Sequence, residues 1–174
     1  MAPLLPVARQ LLDIALLRRG PQDLPYSPTL LVLAISASAL ASLVARGASG
    51  MPLLSLVLIV AYTAAFLHGV LQMRQLTARF VQTATAVFGT DALITLVALP
   101  LLGAFTASGT QPAAGALLAY LALVAWNVAV LAHILRNALD TGLGKGALWA
   151  VAYIAGTAFI AGIGAGPQSA GGGG

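Results

Sequence analysis

Three side chains in this 174-residue sequence sit oddly in the apolar stretches that hold them: Asp91, His68 and His133. Asp91 lies in FGTDALI, about five residues inside an apolar run placed at 86–107. A carboxylate at the centre of a membrane helix costs roughly 2.5–3.5 kcal/mol, and less near the interface. It must therefore find a partner, reach headgroup water or hold a proton. Two chemistries follow: a proton or cation pathway through Asp91, or a plain ion pair near the inner interface with Arg79, Arg136 or a histidine. His68 and His133 are the only histidines and lie near the cytoplasmic ends of the second and fourth apolar runs, at similar depth. On neighbouring helices they can ligate a single b-type haem, with Arg74, Arg79 or Arg136 holding its propionates. One haem alone gives no electron path across a bilayer, and the simpler role for both rings is pairing with headgroups or with Asp91. Asp91, His68, His133, Arg74, Arg79 and Arg136 are the candidate functional cluster, expected on the cytoplasmic side.

The other polar or small residues point to packing. Asn127 and Tyr120 lie inside the fourth run, where an Asn usually hydrogen-bonds a neighbouring helix for about 1 kcal/mol. Trp126 shares a helical stripe with His133, and Trp149 falls at a membrane boundary, the place of an aromatic anchor. Ala34, Ser38 and Ser42 recur four apart, as do Ala37, Ala41 and Ala45; Gly156 follows Ala152 at the same spacing. Small residues at that interval let helix backbones approach closely. Pro100 should kink the third run. GLGKG at 142–146 lacks the phosphate-loop frame and any preceding strand, and reads as a turn. Nothing matches GxSxG, HExxH, a catalytic carboxylate pair or a metal cluster, and cysteine is absent. No catalytic residue, metal or cofactor is expected on the main reading.

Composition says what must position these residues. The chain is 60% hydrophobic and 7% charged, where a soluble domain carries about 25% charged residues. Lipid must be the solvent for much of it. Five apolar segments, at 29–45, 52–71, 86–107, 113–135 and 147–165, each approximate the ~20 residues that cross the hydrocarbon. The fold class is therefore an all-α polytopic membrane bundle of five transmembrane helices, preceded by an amphipathic interfacial helix over residues 4–19. In that helix Leu4, Val7, Leu11 and Ile14 recur at helical spacing with Arg9, Gln10 and Asp13 opposite; packing beneath the bundle is its other possible place. GPQDLPYSP is a rigid connector ending on Pro28. Residues 1–28 form the cytoplasmic segment, 29–165 the membrane domain and 166–174 a disordered Gly-rich tail. The positive charges of the first 20 residues follow the apolar run, the reverse of a signal peptide.

Charge sets the orientation. The net charge is +4, from seven Arg and one Lys against four Asp. With the N-terminus inside, Arg9, Arg18, Arg19, Arg74, Arg79, Arg136 and Lys145 face the cytoplasm and only Arg46 faces out, as the positive-inside rule requires. The basic residues lie at helix ends rather than in a patch, which argues against nucleic acid as a partner. Heavy Ala, Leu and Gly usage points to a GC-rich bacterial genome, and a bacterial inner (cytoplasmic) membrane is the expected location.

Five spans, the stretches FGTDALITLVALPLL and AWNVAVLAHILRNAL, and the connector LLRRGPQDLPYSPTLL resemble bacterial members of the Yip1-like family of five-span membrane proteins. The family's long soluble N-terminal region is absent here. The resemblance implies a non-enzymatic accessory or scaffold subunit whose partners are the bilayer and other membrane subunits or further copies of itself. A small translocator using Asp91 and a single-haem carrier using His68 and His133 are the alternatives.

Overall fold

The computed structural model describes residues 4–49, 53–107 and 114–164, and the regular structure in them is helical. Its six helices are α1 (Leu4–Ala15), α2 (Pro28–Ser49), α3 (Leu53–Met73), α4 (Phe80–Ala107), α5 (Ala114–Ala138) and α6 (Leu143–Gly164). Five of them, α2 to α6, are long and apolar enough to cross a membrane. The chain is a multi-pass membrane protein. Residues 108–113 and the expected tail at 166–174 lie outside the described residues.

Local chemistry explains most helix limits. Ser27 caps α2: its Oγ accepts from the Leu30 N–H at 3.3 Å and its carbonyl from the Leu31 N–H at 3.2 Å, while Pro28 takes the first helical position, where no N–H is missed. Three helices end at the N-terminal side of the bundle on a residue in the left-handed region, Leu17 after α1, Gln75 after α3 and Asp140 after α5. In each case the next N–H reaches back five residues, Arg18 to Asp13, Leu76 to Leu71 and Thr141 to Arg136, at 2.8–2.9 Å. These are helix-terminating turns of the type that usually uses glycine.

Both α4 and α6 begin earlier than hydropathy suggests. α4 begins at Phe80 rather than at 86, because its threonines hide their hydroxyls: Thr85 donates to the Val81 carbonyl at 2.7 Å and Thr90 to the Ala86 carbonyl at 2.8 Å. Such back-bonding lets a polar-looking run stay helical and buried. α6 begins at Leu143, so most of GLGKG is its first turn rather than a loop. Gly146 is needed there for contact, since a Cβ would lie 2.6 Å from the Ala132 carbonyl oxygen and 2.7 Å from Arg136 Cβ on α5.

The spanning helices form a ring. α4 packs between α2 and α5, α6 bridges α5 and α3, and α3 returns more loosely to α4 and α2. Ala34, Ser38 and Ala41 are buried on α2, whose main neighbour is α4, so the small-residue stripe does bring backbones together. Ala37 is exposed and takes no part. Gly156 on α6 receives Tyr62 of α3, whose phenol occupies the place a Cβ would need. Trp149 is drawn in as well, its ring 6.1 Å from Phe66 and nearly perpendicular to it.

The apolar core is not evenly distributed. Leu67, Val70, Leu71, Val87, Val130, Ile134 and Leu135 are all buried, and all lie in the half of the bundle nearest the N-terminal segment. That segment completes the seal. Ile14 and Leu24 are fully buried, Leu11 fills the space over Gly89, and Trp126 Nε1–H donates to the Ala15 carbonyl at 2.9 Å. Gln82 holds the connector through the Leu24 carbonyl at 2.6 Å. α1 is therefore packed against α4 and α5, with Leu12 and Leu16 on its exposed side. It rests on the bundle rather than standing apart from it.

Candidate functional site

Because the helices start or stop at a common level, depth can be counted along each. Ser38, Thr63, Asp91, Asn127 and Tyr153 each lie ten or eleven residues from the N-terminal-side end of α2, α3, α4, α5 and α6. At 1.5 Å per residue that is about 15–17 Å, the middle of a hydrocarbon layer of ~30 Å. Every spanning helix thus contributes one polar side chain to a single layer, about 15–17 Å from that end of the bundle. Spacing alone hides this layer, because its members are far apart in sequence.

Above that layer, on the side away from α1, lies a cavity of about 350 Å³ lined by residues of all five spanning helices. Asp91, Ser38, Thr63, Asn127 and Tyr153 line its floor together with Val87 and Phe88; Ala45, Leu56, Leu102 and Tyr120 line its far part. Asp91 is the one ionisable acid in it. Ser38 Oγ–H donates to Asp91 Oδ2 at 2.5 Å, and among the described residues no cationic group lies within ion-pair distance of this carboxylate. Beside it the hydroxyls are tied up locally: Thr63 Oγ1 donates to the Ile59 carbonyl at 2.8 Å and meets the Tyr153 hydroxyl at 2.9 Å. Tyr62, Phe66 and Tyr153 stack behind them, with ring centroids 5.5–5.8 Å apart.

The structure separates the cytoplasmic cluster expected from sequence. Among the described residues Asp91 is not paired with Arg79, Arg136 or a histidine, and the earlier start of α4 puts it near the middle of that helix. Arg79 instead bridges two turns at the end of the bundle, pairing with Asp140 at 2.8 Å and donating to the Ala138 carbonyl at 3.3 Å. That contact holds the exposed Asp140 carboxyl below its ordinary value. Arg74 adds a weaker through-space attraction there, and Arg136 offers its Cβ to the Gly146 contact. His68 is exposed on α3, its ring 5.8 Å from Phe80. His133 bonds through Nε2 to the Arg19 carbonyl at 2.9 Å, and since a carbonyl only accepts, that nitrogen carries a proton. The histidines do share a level, five residues from the ends of α3 and α5, but these helices are not principal neighbours and the two rings have separate engagements.

Five residues assigned to packing also line the cavity: Ser38, Ser42, Ala45, Tyr120 and Asn127. Conversely, the Trp126–His133 stripe is a dock, since each of its rings grips a backbone carbonyl of the N-terminal segment. The half of the bundle away from α1 holds the cavity. Among the described residues no group of three or more potential ligands His, Cys, Asp or Glu clusters for a metal. No family model, no curated protein and no solved structure matches the chain.

Proposed function

We propose that this protein is a small ion-coupled translocator whose coupling group is the Asp91 carboxylate. One observation carries the reading: the cavity shared by all five spanning helices ends on Asp91, a carboxylate near the middle of α4 that has a Ser38 hydroxyl but, among the described residues, no cation beside it. An acid placed there without a counter-charge costs stability, and a protein that only needed to pack could fill the position with leucine. The packed layer of Leu67, Val87, Val130 and Ile134 separates Asp91 from the N-terminal side, so access is from one side at a time, as alternating access requires. The accessory-subunit role implied by the resemblance to the Yip1-like family is a second proposal, and it draws its support from hydropathy and those sequence stretches alone.

We place the protein in a bacterial inner membrane with its N-terminus cytoplasmic. The arginines support this: at the ends of the bundle seven of the eight basic residues gather on the side of α1, with Arg46 on the other. The cavity then extends toward the periplasm. Purified protein reconstituted in liposomes under an imposed pH gradient, with inorganic or organic cations supplied on one side, tests the function. Proton movement should depend on Asp91 and disappear in Asp91→Asn at equal reconstitution; equal flux from both proteins would end the proposal. Reporter fusions to each terminus test the orientation, and both termini on one side would refute five spans.

A further inference from the structure

The geometry points to a monovalent organic cation, an ammonium group on a compact apolar body, as the ligand of this cavity. The inference rests on the translocator reading and names its substrate class. A cavity of about 350 Å³ is at the small end of ligand pockets. At a water's share of ~30 Å³ it holds roughly a dozen heavy atoms. A bare metal ion would leave most of that space to water against aliphatic walls. A metal ion also requires a shell of oxygen ligands, whereas the carboxylate here is single and the Thr63 hydroxyl is already committed to Ile59 and Tyr153. An anion would meet Asp91. A large part of the lining is Val87, Phe88, Ile94, Leu123 and Val124, with the rings of Tyr120 and Tyr153, and aromatic faces attract a desolvated ammonium as well as an apolar body.

The charge balance is simple. An ammonium entering the cavity supplies the counter-charge that Asp91 lacks, and the carboxylate releases any proton it holds to water. When the cation leaves, a proton returns. Cation and proton compete for one group, so each transport step exchanges one positive charge for another and moves no net charge across the membrane. No covalent bond changes apart from the O–H of Asp91.

Benzyltrimethylammonium is a suitable probe, because it has the right size and no proton of its own to give. Purified protein should bind it saturably, with affinity falling up to about tenfold per pH unit in the acid range where a proton holds Asp91, and with proton release into weak buffer. Neopentylbenzene, its neutral counterpart in shape, should bind far less well. Asp91→Asn should lose at least about thirtyfold in affinity for the cation, while keeping its helical content and its affinity for neopentylbenzene. Equal binding of the charged and neutral probes to the wild-type protein would overturn the inference, as would unchanged cation binding by Asp91→Asn. If sodium or potassium protects Asp91 from carbodiimide labelling and the organic cation does not, the substrate class is wrong. The translocator itself is judged separately, by the Asp91 dependence of proton flux in liposomes that hold the exchanging cation on one side.

Discussion

Replacing Asp91 by leucine should make this protein more stable and useless at once. At the midplane an acid costs roughly 2.5–3.5 kcal/mol on insertion scales and a leucine contributes a few tenths favourably. Against that gain stands one hydrogen bond, the Ser38 donation at 2.5 Å, of a kind worth about 1 kcal/mol in membranes. Ser38 need not be stranded, because a helix serine can turn its hydroxyl to the carbonyl four residues back. Overpacking is avoided, since the side chain borders a cavity rather than a filled core. The net expectation is about 1–3 kcal/mol of added stability, read as a raised unfolding midpoint in mild detergent or in bicelles. A double-mutant cycle refines it. Ser38→Ala should cost about 1 kcal/mol in the wild-type protein and close to nothing in the Asp91→Leu background. A destabilised Asp91→Leu protein would refute the reasoning, for it would mean that the carboxylate holds the bundle together and has no need of a ligand.

Other expectations test the supporting architecture. Gly146→Ala should destabilise by about 1–3 kcal/mol, because its Cβ would press on the Ala132 carbonyl, a backbone atom that cannot swing away; an unchanged melting curve would contradict the α5–α6 contact. Trp126→Phe keeps the ring but removes the donor to the Ala15 carbonyl, so hydrogen exchange and proteolysis of residues 4–15 should quicken while the spans stay protected. Arg79→Ala should lower stability more than Asp140→Asn does, since the guanidinium also serves the carbonyls of Asn137 and Ala138 and the exposed ion pair by itself contributes little. The Asp140 carboxyl is held low by Arg79; what that pair contributes is present above the unfolded-state value and fades as pH falls through the lower folded-state one. Chemical shifts of Asp140 followed during acid titration should show that low midpoint in the wild-type protein and a return toward the ordinary value in Arg79→Ala.

How much of this could be read without a structure differs by residue. Amphipathic spacing in residues 4–19 marks α1, but the groove that takes it is built from Gly89, Trp126 and His133, more than 70 residues away, and no local signal names them. Asp91 stands out in any hydropathy profile, whereas its depth does not. A sliding average ends the apolar run near residue 86 because it counts Thr83, Thr85 and Gln82 as polar, while the helix continues to Phe80 because the Thr85 hydroxyl is satisfied by its own backbone. That difference moved Asp91 from the first turns of its helix to the middle of it. Ser38 and Asn127 were visible as polar residues in apolar spans, and packing was the natural role for both. Counting from the helix ends, once those ends are known, is the signal that joins them to Asp91.

The amino-acid sequence by itself determined the solvent, the helical class, the count of spans and the charge asymmetry between their ends. Each of these follows from sums over a local window: apolar length against bilayer thickness, and the number of arginines at each turn. Only the tertiary structure decided which half of the bundle is solid and which is hollow, what α1 rests on, and that five polar side chains from five helices share one layer. Those are properties of rotation and register between helices, set by contacts such as Gly146 on Ala132 and Ser38 on Asp91. Hydropathy is indifferent to rotation about a helix axis, so a cavity whose walls are mostly aliphatic looks, in one dimension, the same as a core.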